Sequence, residues 1–260
     1  MPKISAVIIT MNEEKLIEQC LQSLDDIADE IIVVDSFSTD STELICKKYN
    51  VRFIQREFKG FMDQKNYAVS LALHPYILSL DADEALSSEL QKSLLEVKNN
   101  IKFEGYRVSR LSNYCGQWIR HSAWYPDPQL RLFMADRGSW GLINVHETFI
   151  MNHDSRISKL KGDLLHWPCT SEQDMTQKIE IYSDIAAREF FSKGLRAGFV
   201  KPYFHGGWRF IQTYFFRLGF LDGRNGYIIC RQGGYSSYLK YKILRGLTRE
   251  EKKKSSRNAI

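Results

Sequence analysis

The chain lacks a CxxC pair, and its five cysteines, at positions 20, 46, 115, 169 and 230, follow no regular spacing. That excludes a zinc ribbon and a disulfide framework and points to a reducing compartment. Long hydrophobic runs are missing too: none approaches the roughly 20 residues that span a bilayer. The opening "MPKISAVIITMNEE" has too short an apolar stretch, with acids too close behind it, for a signal peptide. A soluble or peripheral cytoplasmic protein is expected. Away from its end the chain also lacks a positive surplus. The formal net charge is +5, and between Leu239 and Ile260 eight Lys and Arg face two Glu, which accounts for all of it. With the charge confined to the tail and no DNA- or RNA-binding motif in the chain, no nucleic-acid partner is expected.

Core material is plentiful, with 43% hydrophobic and 26% charged residues over 260 positions. Through the first hundred residues two periods alternate. "ISAVIIT" (4–10), "EIIVVD" (30–35), "VRFIQ" (51–55) and "YILSLD" (76–81) read as strands, the β-branched runs among them as strands buried on both faces. Between them "NEEKLIEQCLQSL", with Asn12 as N-cap, "STDSTELICKKY" and "FMDQKNYAVSLAL" carry helical spacing. Such alternation predicts a parallel, doubly wound sheet. Later segments are aromatic-rich and mix strand-like alternation with glycine. "SEQDMTQKIEIYSDIAAREFFSKG" (171–194) predicts a long amphipathic helix with a glycine stop. There is no internal repeat and no obvious linker, so one compact unit is expected.

Ligands of an open parallel sheet sit at the carboxyl ends of its strands. Three ends here carry suitable groups: Thr10-Met11-Asn12-Glu13, Asp35-Ser36 and Asp81-Ala82-Asp83. Residues two apart in an extended chain point the same way. Asp81 and Asp83 are therefore expected to face one site while Glu84 turns elsewhere. Two carboxylates so placed suit a hard divalent cation, Mn²⁺ or Mg²⁺. A lone DxD triplet is more often a pair of solvated loop acids or helix caps. Its placement after a buried strand, beside two other polar strand ends, favours the ligand reading.

The segments "AVIITMNEE", "IIVVDSFSTDST", "GFMDQKNYA" and "LSLDADE" resemble the nucleotide-sugar half of family 2 glycosyltransferases, which have the GT-A fold. "YPDPQLRLF", "NVHE", "LLHW" and "RLGFLDGRNGY" are similar to one branch, the lipopolysaccharide core beta-1,4-glucosyltransferases. The resemblance covers nearly the whole chain except the basic tip. It implies an α/β, GT-A fold with a mostly parallel doubly wound sheet. The nucleotide-sugar half would span 1–100 and the acceptor half 101–200, with a helical amphipathic extension over 201–248 and a disordered basic tail over 249–260. Thr10, Asn12, Glu13 and Asp35 would contact the base and ribose of a uridine nucleotide, although many relatives carry two aspartates where this chain has Asp35-Ser36. Asp83 would ligate the metal, Asp81 would bind ribose or a metal-bound water, and Lys65 would reach the phosphates. Glu147 would be the base that takes the acceptor's proton in an inverting transfer, with His146 orienting it or binding sugar. His166 would reach the metal or the diphosphate, where leaving-group charge develops, and Arg131 would assist at diphosphate or acceptor.

Structural readings stand beside these roles. Lys65 is equally a helix-surface lysine, Arg131 a surface salt bridge, Glu147 a surface acid and His166 a hydrogen-bonded structural histidine. Trp124 and Trp140 either stack on sugars or lie buried. From Trp208 to Arg245 aromatics interleave with Arg and Lys, which suits an anionic membrane surface or, equally, helices packed onto the body. The expectation is a metal-dependent, inverting transferase that moves a hexose, glucose by resemblance, from a UDP-sugar to a saccharide or glycolipid acceptor at the cytoplasmic face of an inner membrane. A nucleotidyltransferase would want glycine in "TMNEEKLIEQ", and a haloacid-type phosphatase a hydroxyl or branched residue at Ala85. A non-catalytic nucleotide-sugar-binding scaffold would keep the same motifs.

Overall fold

The computed structural model describes residues 2–143, 146–169 and 171–257, without the side chains of Leu142, Ile143, His146, Lys252 and 254–257. The chain forms two compact units, Met1–Leu111 with Pro126–Trp167 and Ser112–Tyr125 with Pro168–Ile260. These bounds differ from the expected ones at residues 101 and 201.

In the first unit, β1 (Ile4–Thr10), β2 (Glu30–Asp35), β3 (Arg52–Gln55) and β4 (Tyr76–Asp81) are parallel, in the order β3-β2-β1-β4. Helices α1 (Ile17–Gln22), α2 (Thr42–Cys46) and α3 (Phe61–Ser70) connect them. Alternate residues of β1 enter different clusters. Ile4, Ala6 and Ile8 pack with Leu21, Leu78 and Leu80, and Val7 packs with Ile32, Val34, Ile77 and Phe133. Burial on both faces is why these strands read as unbroken apolar runs. Past β4 the sheet continues through β8 (Asp127–Met134), β6 (Gly105–Tyr114), β11 (Ile157–His166) and β5 (Glu84–Leu86), while the two-residue β7 (Gln117–Trp118) pairs with the end of β6. Here β8 is antiparallel to β4 and β6, and β11 to β5. The α/β, GT-A expectation holds, with its parallel half confined to the first hundred residues.

The first two helices are shorter than their patterns. Asn12 does not cap α1, which starts at Ile17 behind Leu16. The start of α2 is held by Asp40, whose Oδ1 accepts the Thr42 N–H at 2.9 Å.

Helix α4 (Ser88–Asn99) sets the height of β11. Ser87 caps it, its Oγ accepting from the backbone N–H of Leu90 at 3.3 Å and of Asp163 at 3.0 Å. That approach needs glycine at 162, with φ at +86°, because a Cβ there would lie 2.3 Å from the Leu90 nitrogen. β11 then ends with Leu165 opposite Ala85 and His166 opposite Glu84.

In the second unit, α5 (Glu172–Ser192) starts on Ser171, whose Oγ accepts the Asp174 N–H at 3.1 Å, and ends before Gly194 at φ +82°, as its pattern predicts. Helix α6 (Lys201–Ile211) runs into a π turn (Gln212–Phe216) and a 3₁₀ turn (Gly219–Asp222), then α7 (Gly223–Arg257). α5 lies against α7 through Ala187 and Leu244, which is why it belongs to this unit and not to the sheet. The tail expected as disordered from 249 continues α7 to Arg257. Arg196 forms a two-point pair with Glu251, from Nε at 2.7 Å and Nη2 at 2.5 Å, and anchors that end. The "GFLDGRNG" segment grips residues 117–122. Asp222 is buried and accepts the His121 N–H and pairs with its ring Nδ1, both at 2.9 Å, while its carbonyl accepts from Gln117 at 3.0 Å.

Gly162→Ala is expected to cost about 1–3 kcal/mol from the backbone conformation alone, with the clash against Leu90 added to it. Urea unfolding of wild type and variant measures it, and equal midpoints would refute the close approach.

Candidate active site

The polar strand ends lie at one level because the register puts Thr10 opposite Asp35 and Ile9 opposite Asp81. The loops after β1 and β2 are laced together above that rim. Asn12 adopts a left-handed conformation, φ 55°, that asparagine tolerates. Its Oδ1 accepts the Thr39 N–H at 2.8 Å, and its own N–H donates to Ser38 Oγ at 2.8 Å. The Glu13 N–H donates to Thr42 Oγ1 at 2.8 Å. Asp35 is fully buried and spends its carboxylate on Ser38, taking the N–H at 2.8 Å and the hydroxyl through a short bond. It shapes this loop from behind. Thr10 Oγ1 is buried and has no hydrogen-bond partner among the described residues, an unmet valence at the rim.

At the end of β4 three carboxylates follow one another closely, and the charge that holds two of them is a side chain. Arg131, from β8, donates through Nη2 to Asp81 Oδ2 at 3.1 Å and to Glu84 Oε1 at 2.5 Å. Arg131 is 3% exposed and Glu84 1%, so Arg131 is not a surface salt bridge. Glu84 does not turn elsewhere, as the two-residue period predicts. The turn after Asp81 folds it back, and its Oε2 accepts the Asp81 N–H at 3.1 Å. Arg110 reaches Glu84 at 3.4 Å and Asp127 at 2.7 Å.

Lys65 Nζ approaches Asp81 Oδ1 at 2.8 Å and lies 4.6 Å from the centre of the Trp140 ring. At 7% exposure it is not a helix-surface lysine. Asn66, beside it on α3, accepts the Trp140 N–H at 2.9 Å and donates to the Trp140 carbonyl at 3.0 Å. Trp140 is therefore core, flanked by Phe133 and Phe149. Burial pushes the Asp81 carboxyl up, but the charges of Lys65, Arg131 and Arg110 outweigh it and hold the group well below the ordinary carboxylate range. Burial likewise works against the Arg131 cation, and Glu84 and Asp81 more than compensate.

Asp83 faces a different partner. Its Oδ2 lies 3.5 Å from His166 Nε2, with 26% of the Asp83 side chain and 14% of the His166 side chain exposed. The backbone closes the same contact, since the Trp167 N–H donates to the Asp83 carbonyl at 3.0 Å. Both groups are reachable from solvent; the carboxylate oxygen suits Mn²⁺ or Mg²⁺, and the imidazole nitrogen beside it suits a first-row transition ion, so the pair fits Mn²⁺ more closely than Mg²⁺. Among the described residues no group of three or more His, Cys, Asp or Glu could hold a metal ion.

Glu147 lies in a separate hairpin, β9 (Gly138–Ile143) with β10 (His146–Met151), opposite Leu142. Phe149 of that hairpin stacks on Phe133 with ring centres 3.6 Å apart, which seats it on the sheet. Glu147 is partly exposed. The side chain of His146 lies outside the described residues. Trp124 packs edge-on against Tyr114 in the second unit. Sequence reasoning did not foresee Glu84, Arg110 and Asn66 as bracing groups. Glu84 stood in the quoted acidic stretch, whereas nothing in "YRVSRL" singles out Arg110.

Residues 5–155, more than half the chain, match the family model described as glycosyl transferase family 2. The chain belongs to that family. A glycosyltransferase of Rickettsia typhi is 30% identical over 270 residues, covering 100% of this chain and 91% of the relative. A Rhizobium meliloti relative, a lipopolysaccharide core biosynthesis glycosyltransferase, is 29% identical over 243 residues, covering 91% and 89%. The fold is also that of S. aureus TarS 1-349, solved in complex with UDP-GlcNAc, with a TM-score of 0.51, 17% identity and coverage of 96% and 92%. The chain is accordingly a glycosyltransferase, and the matched span contains Asp81, Asp83, Glu84 and Arg131 but stops short of His166.

Two outcomes are expected of this transferase. Arg131→Met leaves Glu84 buried without its cation and should cost about 3–5 kcal/mol, whereas Glu84→Gln in the same chain should restore part of that loss. Guanidinium unfolding of the single and double variants decides it; equal losses in both would remove the coupling. Asp81 has a folded-state pKa below its unfolded value of about 3.9, so its contribution to stability is complete above that pH and is lost as pH falls. Lys65→Met should therefore shift the acid unfolding midpoint to higher pH, read by circular dichroism.

Proposed function

We propose that this glycosyltransferase moves a hexose, glucose in the simplest case, from a UDP-sugar to a saccharide of lipopolysaccharide core or a related surface glycolipid. The transfer inverts the anomeric centre, and the enzyme works at the cytoplasmic face of an inner membrane. The observation that carries the reading is the Asp83–His166 pair, held at the end of β4 beside the laced loops of β1 and β2. Family membership supports sugar transfer. The Rhizobium meliloti relative supports the acceptor class by its name, and the UDP-GlcNAc held by TarS is in keeping with a uridine donor.

Asp83 and His166 are the residues that would hold Mn²⁺ or Mg²⁺. When bound, the cation neutralises charge on the departing diphosphate. Lys65 keeps Asp81 ionised from behind, and Asp81 accepts a hydrogen bond from ribose. Thr10, with its unmet hydroxyl, and the Asn12–Glu13 loop bind the nucleoside. Asp35 acts by holding that loop through Ser38, and Arg131 by holding Asp81. Glu147 takes the proton from the acceptor hydroxyl as it attacks.

Titration calorimetry with UDP should show binding that requires Mn²⁺, is abolished by chelator and is weakened at least about tenfold in Asp83→Ala. Absence of UDP binding under every condition would overturn the uridine donor. Glu147→Gln should bind UDP like wild type while losing about a hundredfold or more in kcat. Unchanged turnover would remove Glu147 as the base.

A further inference from the structure

In the second unit, α6 has two unlike faces. Pro202, Gly206 and Thr213, along α6 and its π turn, are buried. A Cβ at Gly206 would lie 2.9 Å from Tyr238 Cβ and 3.1 Å from the Gly234 carbonyl, so this face closes tightly on α7. The other face carries Val200, Phe204, Trp208, Ile211 and Phe215, spaced four, four, three and four residues apart and 42–68% exposed. The apolar surface continues into the turns that follow. Phe216 lies 6.1 Å from Trp208, and Phe220 lies 6.2 Å from Tyr214, which meets Phe215 at 5.1 Å. Leu218 and Leu221 are exposed beside them. A run of exposed aromatic and aliphatic side chains this long is rare on a surface that meets only water.

Charge says what covers it. From residue 190 to residue 249 the chain has eleven Lys and Arg and one acid, Asp222. That acid is buried and spent on His121. Lys193, Arg196 and Arg231 are paired with Glu189, Glu251 and Glu172 from outside that span, and the charges next to the stripe in sequence, Lys201, Arg209, Arg217 and Arg224, are positive. No described helix is long and apolar enough to cross a membrane. We infer that the outer face of α6 and the turns after it form a docking surface for an anionic lipid bilayer, with Trp208 and the phenylalanines entering the headgroup–acyl boundary and the arginines meeting lipid phosphates. The aliphatic positions and the lack of a base-reading motif disfavour nucleic acid, and the repulsion between Lys201, Arg209, Arg217 and Arg224 and their own copies disfavours a second copy of the same face.

The test is co-sedimentation of the full chain with vesicles of phosphatidylcholine and with equimolar phosphatidylethanolamine–phosphatidylglycerol vesicles. Nucleotide sugar is omitted, so the outcome is separate from that of sugar transfer. Wild type should sediment with the anionic vesicles only, and its tryptophan emission should shift to the blue. The triple variant Phe204→Ser, Trp208→Ser, Phe216→Ser changes exposed positions and should keep its circular dichroism while losing at least about tenfold in partitioning. Arg209→Gln with Arg217→Gln should lose about fivefold for each charge removed, an effect mimicked by added salt. Failure to sediment, or undiminished sedimentation of the triple variant, would overturn the inference. So would a wild-type dimer that the triple variant dissolves, or retention by RNA in place of vesicles.

Discussion

Three carboxylates within four residues at the end of a buried strand repel one another in a setting where water screens little. The architecture answers with buried cations, and the one that bridges Asp81 and Glu84 is Arg131, brought in from the strand next to β4. Because β8 runs antiparallel to β4, with Leu78 opposite Leu132, Arg131 enters just where Asp81 and Glu84 need it. A buried charge group of this kind contributes little net stability, since desolvation offsets attraction, but it is costly to break and admits few geometries. Its effect is therefore positional. With Asp81 and Glu84 held, the turn between them is fixed, and Asp83 points to His166 on the strand paired with β5.

Other parts of the first unit serve the same geometry. Gly162 lets β11 approach the start of α4, which sets where His166 ends. The Asn66–Trp140 bridge fixes α3 to the β9–β10 hairpin, and with it the Lys65 ammonium over Trp140 and against Asp81. The hairpin that carries Glu147 is thus seated by contacts whose other end is the acidic turn. In the second unit, the "GFLDGRNG" segment uses its acid and two of its glycines, Gly219 and Gly226, for packing. A Cβ at Gly226 would lie 2.0 Å from the Gly219 carbonyl.

The buried parallel strands were legible because burial on both faces leaves a β-branched run; β4 was read with its observed ends, and α5 within a residue or two. What failed to show was pairing across the chain. Arg131 reads as an outward residue of an alternating strand, because alternation assumes one wet face, and β8 has none at that point. Lys65 reads as a surface lysine because only the fold brings Trp140 and Asp81 to it. Glu84 defeats the two-residue period since the chain turns between Asp81 and Glu84. The division into units was hidden because the second takes residues 112–125 from the middle of the first, without any break in composition.

That interleaving has a consequence for the order of events on the ribosome. The segment 112–125 is finished early, yet its partners Asp222 and Gln232 lie 101 and 118 residues downstream. At ordinary rates of synthesis that is a wait on the order of ten seconds. The first unit has all of its strands once residue 167 has emerged, while Tyr114 and Ile119 still await Cys169 and Ile229, against which they pack. Until "GFLDGRNG" arrives to clasp it, the nascent chain carries these apolar side chains exposed, the kind of surface that chaperones bind.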